Sequence, residues 1–107
     1  MGSGSTIERL VGEKPVVIFS KLSCSMCHSV KSLIKNYGAN VTVYEIDEIS
    51  NGQQIERELL LKLGGCQPSV PAVYIGQKLI GGADIIFTLQ LKNELVPLLI
   101  QARAIWI

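Results

Sequence analysis

The chain has almost no excess charge of either sign and no long apolar run. Ten Lys and Arg are balanced by nine Asp and Glu among 107 residues, which gives a formal net charge of +1. Because these charges are scattered, they form no basic stripe for nucleic acid and no polybasic anchor for a membrane surface. The longest apolar runs are about seven residues, whereas a helix that spans a bilayer needs roughly eighteen or more. We therefore expect no direct contact with nucleic acid or membrane.

Charged residues are scarce as well, at 18% of the chain, while apolar residues reach 48%. This composition can bury a core, which excludes an intrinsically disordered chain. The length fits one domain, which we place at residues 6–107. Residues 1–5, Met-Gly-Ser-Gly-Ser, resemble the remnant of an expression tag, and no charged-then-apolar leader indicates secretion.

The apolar pattern predicts helices and strands in alternation. Residues 16–19, Val-Val-Ile-Phe, form a β-branched run typical of a strand covered on both faces, and an apolar stripe predicts a helix over 25–37. The order (α)βαβα followed by ββα predicts one three-layer α/β domain with a four-stranded mixed sheet. The other predicted elements are a helix at Thr6–Val11, a strand at Val41–Ile46, a helix opened by a Ser50–Gln53 capping box and stopped by Gly64-Gly65, strands at Pro71–Ile75 and Lys78–Ile80 around a Gly76-Gln77 turn, and a helical stretch from Ala83 to Arg103 interrupted near Pro97.

Two of the three cysteines, Cys24 and Cys27, form a C-x-x-C pair where the buried strand gives way to a helix. So few cysteines make no disulfide framework, and this spacing indicates redox or metal chemistry. A sulfur at a helix N-terminus faces unpaired N–H groups and the positive end of the helix dipole, which favour the thiolate, and Lys21 adds a positive charge nearby. We therefore predict that Cys24 is the exposed nucleophile and that Cys27 resolves its mixed disulfides.

Metal chemistry competes with this interpretation of the cysteine pair. A zinc site would have four candidate ligands, Cys24, Cys27, His28 and Cys66, although the first three crowd one helical turn. Cys-x-x-Cys-His is also the attachment pattern of haem c, which normally requires export. A copper-binding loop in a small domain would leave the long helical C-terminal segment unexplained. We interpret His28 as a solvated or capping residue and expect no metal site.

A second group of residues strengthens the redox interpretation. In residues 69–71, Ser-Val-Pro, a proline opens a strand, so main-chain N–H and C=O groups beside it can meet an extended thiol-bearing peptide, above all if Val70–Pro71 is cis. The glycines of Gly81-Gly82-Ala83-Asp84 allow a close approach at a helix N-terminus, where a carboxylate is held. Asp84 would hold an amine.

The ordered set Lys21, Cys24-x-x-Cys27, 69–71 and 81–84 resembles the glutaredoxin family over nearly the whole chain from about residue 6. The resemblance implies a thioredoxin-like fold, with a four-stranded mixed sheet flanked by helices, and glutathione as the co-substrate. It also implies that Lys21 binds a glutathione carboxylate and that Val70 pairs with the cysteinyl backbone. The implied glutathione-binding residues are Lys21, Gln67, Val70, Pro71, Gly82, Ala83 and Asp84.

More narrowly, the segments at 19–24, 26–28 and 95–99 resemble the plant CC-type (class III) glutaredoxins, although Ser25 stands where that subgroup has its second adjacent Cys. The ending Ala104-Ile105-Trp106-Ile107 resembles the tail of that subgroup. The resemblance implies residence in cytoplasm and nucleus. It further implies binding to TGA-type bZIP transcription factors and to co-repressors through the tail residues Ala104, Ile105, Trp106 and Ile107.

Three functional hypotheses follow from these residues. The first is a glutathione-dependent thiol–disulfide oxidoreductase in which Cys24 takes glutathione from a glutathionylated thiol. The second is a redox adaptor of low turnover that binds transcription factors. The third is a [2Fe–2S] cluster shared by two chains through Cys24 and two glutathiones, with which disulfide formation by Cys27 would compete.

Overall fold

The fold is built from five helices and four strands in the part of the chain that the computed structural model describes, residues 6–12, 14–65 and 69–105. Their order confirms the predicted alternation, including the short first helix. The elements are α1 (Thr6–Val11), β1 (Val16–Ser20), α2 (Ser25–Asn36), β2 (Val41–Glu45), α3 (Gly52–Lys62), β3 (Ala72–Ile75), β4 (Lys78–Gly81), α4 (Ala83–Leu91) and α5 (Leu95–Gln101).

The sheet is mixed and has the strand order β2-β1-β3-β4. β1 pairs in parallel with β2, as the crossover through α2 predicts, and β3 is antiparallel to both β1 and β4. Gly76 and Gln77 connect β3 to β4, with φ angles of 60° and 67°. Positive φ at both central residues is the requirement of the tightest hairpin turn, so the predicted hairpin is confirmed.

Both faces of the sheet are covered, which explains why β1 shows no polar alternation. Val17 and Phe19 belong to one apolar cluster with residues of α1 and α3, while Val16 and Ile18 belong to another with residues of α2, α4 and α5. All four side chains are fully buried. Among the described residues, no helix is long and apolar enough to span a membrane.

The start of α3 differs from the prediction. Asn51 is the N-cap residue, the helix begins at Gly52, and no side chain caps it, so the Ser50–Gln53 capping box is wrong. A close backbone approach accounts for this start, because a Cβ on Gly52 would lie 1.7 Å from the carbonyl oxygen of Ile46. Only glycine fits that position, and the helix therefore begins where the chain packs against the end of β2.

The break in the C-terminal helical stretch also differs from the prediction. It falls at residues 92–94, between α4 and α5, where Asn93 has a φ of 61°. Pro97 lies inside the first turn of α5. A proline is tolerated there because the first N–H groups of a helix have no intrahelical partner in any case.

Candidate functional site

The cysteine pair lies at the N-terminus of α2, directly after the loop that follows β1. Cys24 is the N-cap residue, and its sulfur accepts a hydrogen bond from the Cys27 main-chain N–H at 3.1 Å. The two cysteines are joined by a disulfide, with their Cα atoms 5.2 Å apart. The helix terminus therefore directs a backbone donor at the Cys24 sulfur, which is the arrangement that stabilises a thiolate in the reduced protein.

The two sulfurs differ in their access to solvent. Cys27 is fully buried and belongs to the core cluster beneath the sheet face, whereas Cys24 is only partly buried. Leu22 and Met26 flank Cys24 and are about half exposed, at 50% and 49%. An incoming thiol or disulfide can therefore reach Cys24.

His28 holds the loop before the cysteines. Its Nε2 donates a hydrogen bond to the Leu22 carbonyl oxygen at 3.0 Å, and both carboxylate oxygens of Asp47 accept from the Leu22 N–H, at 3.2 and 3.0 Å. His28 is thus exposed and bonded to the loop. Cys24, Cys27 and His28 do not converge on one point, and the fourth zinc-ligand candidate, Cys66, lies outside the described residues.

A cis peptide bond joins Val70 to Pro71, immediately before β3. Both residues are buried, with Val70 only 5% exposed. No hydrogen bond joins the Val70 main chain to another described residue. Main-chain groups in this position can pair with the backbone of an extended ligand.

The N-terminus of α4 lies against this proline loop. Gly82 is the N-cap residue of α4, and a Cβ on it would lie 3.4 Å from the Pro71 carbonyl oxygen. Asp84 follows in the first turn and is exposed; its Oδ1 accepts from the Ile85 N–H at 2.9 Å. A groove of about 670 Å³ runs between these segments, lined in part by Met26, Val70, Pro71, Gly82, Ala83 and Asp84.

Lys21 has a partner that the sequence did not indicate. Its Nζ donates to Oε2 of Glu56 in α3 at 2.7 Å, and the buried Ser69 hydroxyl donates to the same oxygen at 2.9 Å. These hydrogen bonds, that from Lys21 first, hold the pKa of the Glu56 carboxyl below its ordinary value. Glu56 therefore ties the loop before the cysteines to the segment before Pro71. Neither Glu56 nor Asp47 belongs to a motif, so no signal in the sequence marks them.

The remaining predicted residues divide between buried and undescribed positions. Ala104 is 2% exposed and lies in the core, and its carbonyl oxygen accepts from the Asn40 N–H at 2.9 Å. Ile105 packs partly buried against the same cluster. The Ala104 side chain is therefore buried and is not available to a partner in this structure. Residues 1–5, Cys66, Gln67, Pro68, Trp106 and Ile107 lie outside the described residues.

Comparison with known proteins supports the resemblance to the glutaredoxin family that the motifs indicate. The glutaredoxin family model matches residues 16–80. Monothiol glutaredoxin-S1 of Arabidopsis thaliana is 60% identical over 94% of this chain and 97% of its own length. Monothiol glutaredoxin-S6 of the same plant is 56% identical, over 95% of this chain and 98% of its own length. The present chain carries two cysteines in its motif, Cys24 and Cys27.

The fold agrees with solved structures as well. The buckwheat glutaredoxin–glutathione complex superposes with a TM-score of 0.86 at 39% identity, covering 92% of this chain and 88% of that one. The predicted thioredoxin-like fold and the predicted family are both confirmed. The chain belongs to the glutaredoxin family, is similar to plant members of it, and shares the family's glutathione-dependent thiol redox function.

Proposed function

We propose that the protein is a glutathione–disulfide oxidoreductase that removes glutathione from glutathionylated thiols and reduces disulfides. The observation that carries the proposal is the Cys24–Cys27 disulfide at the start of α2, with Cys24 partly accessible and Cys27 fully buried. The attacking and the resolving sulfur are thereby distinguished by their position. In its reduced form, the pair has the N–H donor that a Cys24 thiolate needs.

The reaction begins with attack of the Cys24 thiolate on the glutathione sulfur of a mixed disulfide. The sulfur–sulfur bond of the substrate breaks, and the substrate leaves as a thiolate that takes a proton from water. Cys24 is now bound to glutathione. A second glutathione thiolate attacks the glutathione sulfur, so that glutathione disulfide leaves and the Cys24 thiolate returns. Over the whole cycle one glutathione thiol is oxidised: it leaves joined to the glutathione of the substrate as glutathione disulfide, while the substrate sulfur is reduced to a thiol.

Cys27 provides a second route by which the mixed disulfide of Cys24 and glutathione reacts. Its thiolate attacks the Cys24 sulfur and expels glutathione as a thiolate, which forms the intramolecular disulfide present in this structure. Two glutathiones then reduce that disulfide. A protein disulfide that reacts with Cys24 is reduced by the same sequence.

We assign the groove to glutathione. Lys21 would hold one carboxylate, and the main chain of Val70, which bonds to no other described residue, would pair with the cysteinyl backbone beside the cis Pro71. The N-terminus of α4, at Gly82 and Ala83, would receive the γ-glutamyl carboxylate, and Asp84 its amine. Gln67 remains a proposed contact outside the described residues. The size and position of the groove support this assignment.

The test is a turnover assay with a glutathionylated peptide, glutathione and glutathione reductase. We expect Cys24→Ser to abolish turnover, while Cys27→Ser retains the route through a second glutathione. A wild-type protein that binds glutathione but turns over at a negligible rate would overturn the enzyme assignment. It would favour the adaptor hypothesis instead.

The finer assignments remain proposals that rest on the resemblance of the motifs. They are membership of the CC-type subgroup, residence in cytoplasm and nucleus, and binding of TGA-type factors and co-repressors through the tail. The burial of Ala104 changes how the tail is tested, because deleting it removes a core side chain. Deletion of residues 106–107 alone should abolish partner binding and leave thiol turnover unchanged, which a pull-down with a TGA-type bZIP protein and the turnover assay measure together.

The cluster hypothesis requires the reduced protein. Cys24 is the protein's ligand in that hypothesis, and in the disulfide described here its sulfur is bonded to Cys27. A reduced Cys24, partly accessible and facing the Cys27 main-chain N–H at the start of α2, would suit iron as a thiolate ligand. Visible absorption after anaerobic purification, lost in Cys24→Ser and kept in Cys27→Ser, would support it.

A further inference from the structure

The cation proposed to hold a glutathione carboxylate already holds a carboxylate of the protein. Lys21 Nζ and Glu56 Oε2 are 2.7 Å apart, and both side chains are about 30% exposed. An ion pair this exposed exchanges with solvent and with ligands, since its net free energy is small. An incoming anion would therefore meet a lysine that is accessible but occupied.

Glu56 is kept in this position by a second anchor. The hydroxyl of Ser69, which is 2% exposed, donates to the same Oε2 atom at 2.9 Å. Glu56 also lies within the regular part of α3, so its backbone is fixed. The hydrogen bonds from Lys21 and Ser69 lower the pKa of the Glu56 carboxyl, and it is ionised at neutral pH. The negative charge therefore stays at this end of the site even when the lysine moves away.

We propose that Glu56 is an internal competitor for the carboxylate position at Lys21 and weakens binding of the carboxylate-bearing end of glutathione. A ligand carboxylate must displace Glu56 from Lys21, or share the lysine and approach a fixed like charge. A thiol ligand that brings no carboxylate to this position, such as a cysteine inside a protein chain, meets no such competition. Glu56 thus sets the preference of the site between free glutathione and protein thiols. This inference rests on the proposed function, in which Lys21 binds glutathione.

Binding of S-methylglutathione, which carries both carboxylates but cannot exchange disulfides, tests the proposal by titration calorimetry. Glu56→Gln keeps the size of the side chain and an acceptor for Ser69 but removes the charge. We expect it to bind S-methylglutathione about fivefold more tightly than the wild type, equivalent to about 1 kcal/mol. Glu94→Gln is the matched control, because it removes one exposed carboxylate at the start of α5 and should leave the affinity unchanged.

Two further measurements connect the gain to Lys21. In a Lys21→Gln background, Glu56→Gln should give no gain, because there is no cation left to release. With the analogue whose glycyl carboxylate is an amide, the wild type and Glu56→Gln should bind equally. Glu56→Asp, whose shorter side chain reaches Lys21 less well, should lie between the wild type and Glu56→Gln.

The possible failures are distinguishable. If Lys21→Gln binds S-methylglutathione as well as the wild type does, the assignment of Lys21 in the proposed function is wrong, and the competition falls with it. If Lys21→Gln weakens binding but Glu56→Gln does not strengthen it, the competition alone is overturned, and Glu56 positions the lysine. Equal gains in Glu56→Gln and Glu94→Gln would also overturn it, since net charge would then explain both.

Discussion

A Cβ on Gly82 would lie in van der Waals contact with the Pro71 carbonyl oxygen, at 3.4 Å. The contact brings the N-terminus of α4 against the cis-proline loop, although the two residues belong to different elements. Both segments line one groove, to which Met26, two positions after Cys24, also contributes. A residue without a side chain is therefore part of what keeps the groove open.

Substitution of Gly82 by Val should narrow the groove. The added side chain presses on the Pro71 carbonyl and on the proposed ligand position, so we expect KM for a glutathionylated peptide to rise about fivefold, equivalent to about 1 kcal/mol. Gly12→Val is the control. A Cβ there would meet the Glu8 carbonyl oxygen at the same distance of 3.4 Å, but Gly12 does not line the groove. Equal effects of the two substitutions on KM would contradict the prediction.

The difference in burial between the two cysteines should appear as a difference in reactivity. In the reduced protein we expect iodoacetamide to modify Cys24 at least about tenfold faster than Cys27 at pH 7, because one sulfur is accessible at a helix N-terminus and the other is buried. Peptide mass spectrometry after short exposure measures both sites separately. Comparable rates at the two cysteines would show that the reduced protein does not keep this arrangement.

The ion pair between Lys21 and Glu56 should make stability depend on pH in the acid range. Because the pKa of Glu56 is lowered from 4.5 in the folded protein, its contribution is complete above that value and is lost as the pH falls through the lowered one. We expect Glu56→Gln to lower the free energy of unfolding by ~0.5 kcal/mol at pH 7 and by nothing measurable once the wild-type carboxylate is protonated. Urea unfolding across the acid range checks this, and a constant difference would refute it.

Tyr74 should have the opposite dependence, at alkaline pH. Burial, with smaller contributions from Glu8 and Glu58, raises its pKa above 10.0, so the neutral phenol is favoured in the folded protein. The contribution of the Tyr74 phenol to the stability of the protein is complete below the ordinary pKa. It is lost as the pH rises through the raised pKa of Tyr74 in the folded protein. Its buried hydroxyl has no hydrogen-bond partner among the described residues. Tyr74→Phe should therefore be as stable as the wild type or up to about 1 kcal/mol more stable at pH 7, with its advantage growing above pH 10.0.

Tyr44→Phe is the matched control for this substitution. The Tyr44 hydroxyl accepts from Lys14 Nζ at 2.6 Å and donates to the Leu10 carbonyl at 3.3 Å, so its loss should destabilise the protein by about 1 kcal/mol at pH 7. Urea unfolding of the oxidised proteins measures both variants. If Tyr74→Phe loses as much stability as Tyr44→Phe, the Tyr74 hydroxyl has a partner after all.

The elements were predictable wherever local pattern and tertiary environment agree. The β-branched run at 16–19 indicates a strand covered on both faces, and the structure covers it with helices on each side. The predicted and observed bounds of an element differ where a contact with a residue of another element, or a local backbone conformation, determines where a helix begins. The start of α3 depends on the approach of Gly52 to Ile46, and the break before α5 depends on the left-handed backbone at Asn93 rather than on Pro97.

The site shows the same division. Cys24, Cys27 and Pro71 stand in short motifs whose chemistry follows from their spacing. Pro71 lines the groove, and so does Met26, which lies between the two disulfide-bonded cysteines in the sequence. Glu56 lies 35 positions from Lys21 and belongs to no motif. An acidic residue on an amphipathic helix is ordinary in a sequence. Only the packing of α3 against the loop after β1 shows that Glu56 bonds to Lys21.

The hydrogen bond from Asn40 to the Ala104 carbonyl has a consequence for how the protein is produced. β2 is an edge strand of the sheet. The bond ties the C-terminal segment to Asn40, which directly precedes Val41, the first residue of β2. An edge strand with free main-chain groups is a template for pairing with another molecule. Truncation ahead of Ala104 should therefore favour aggregation.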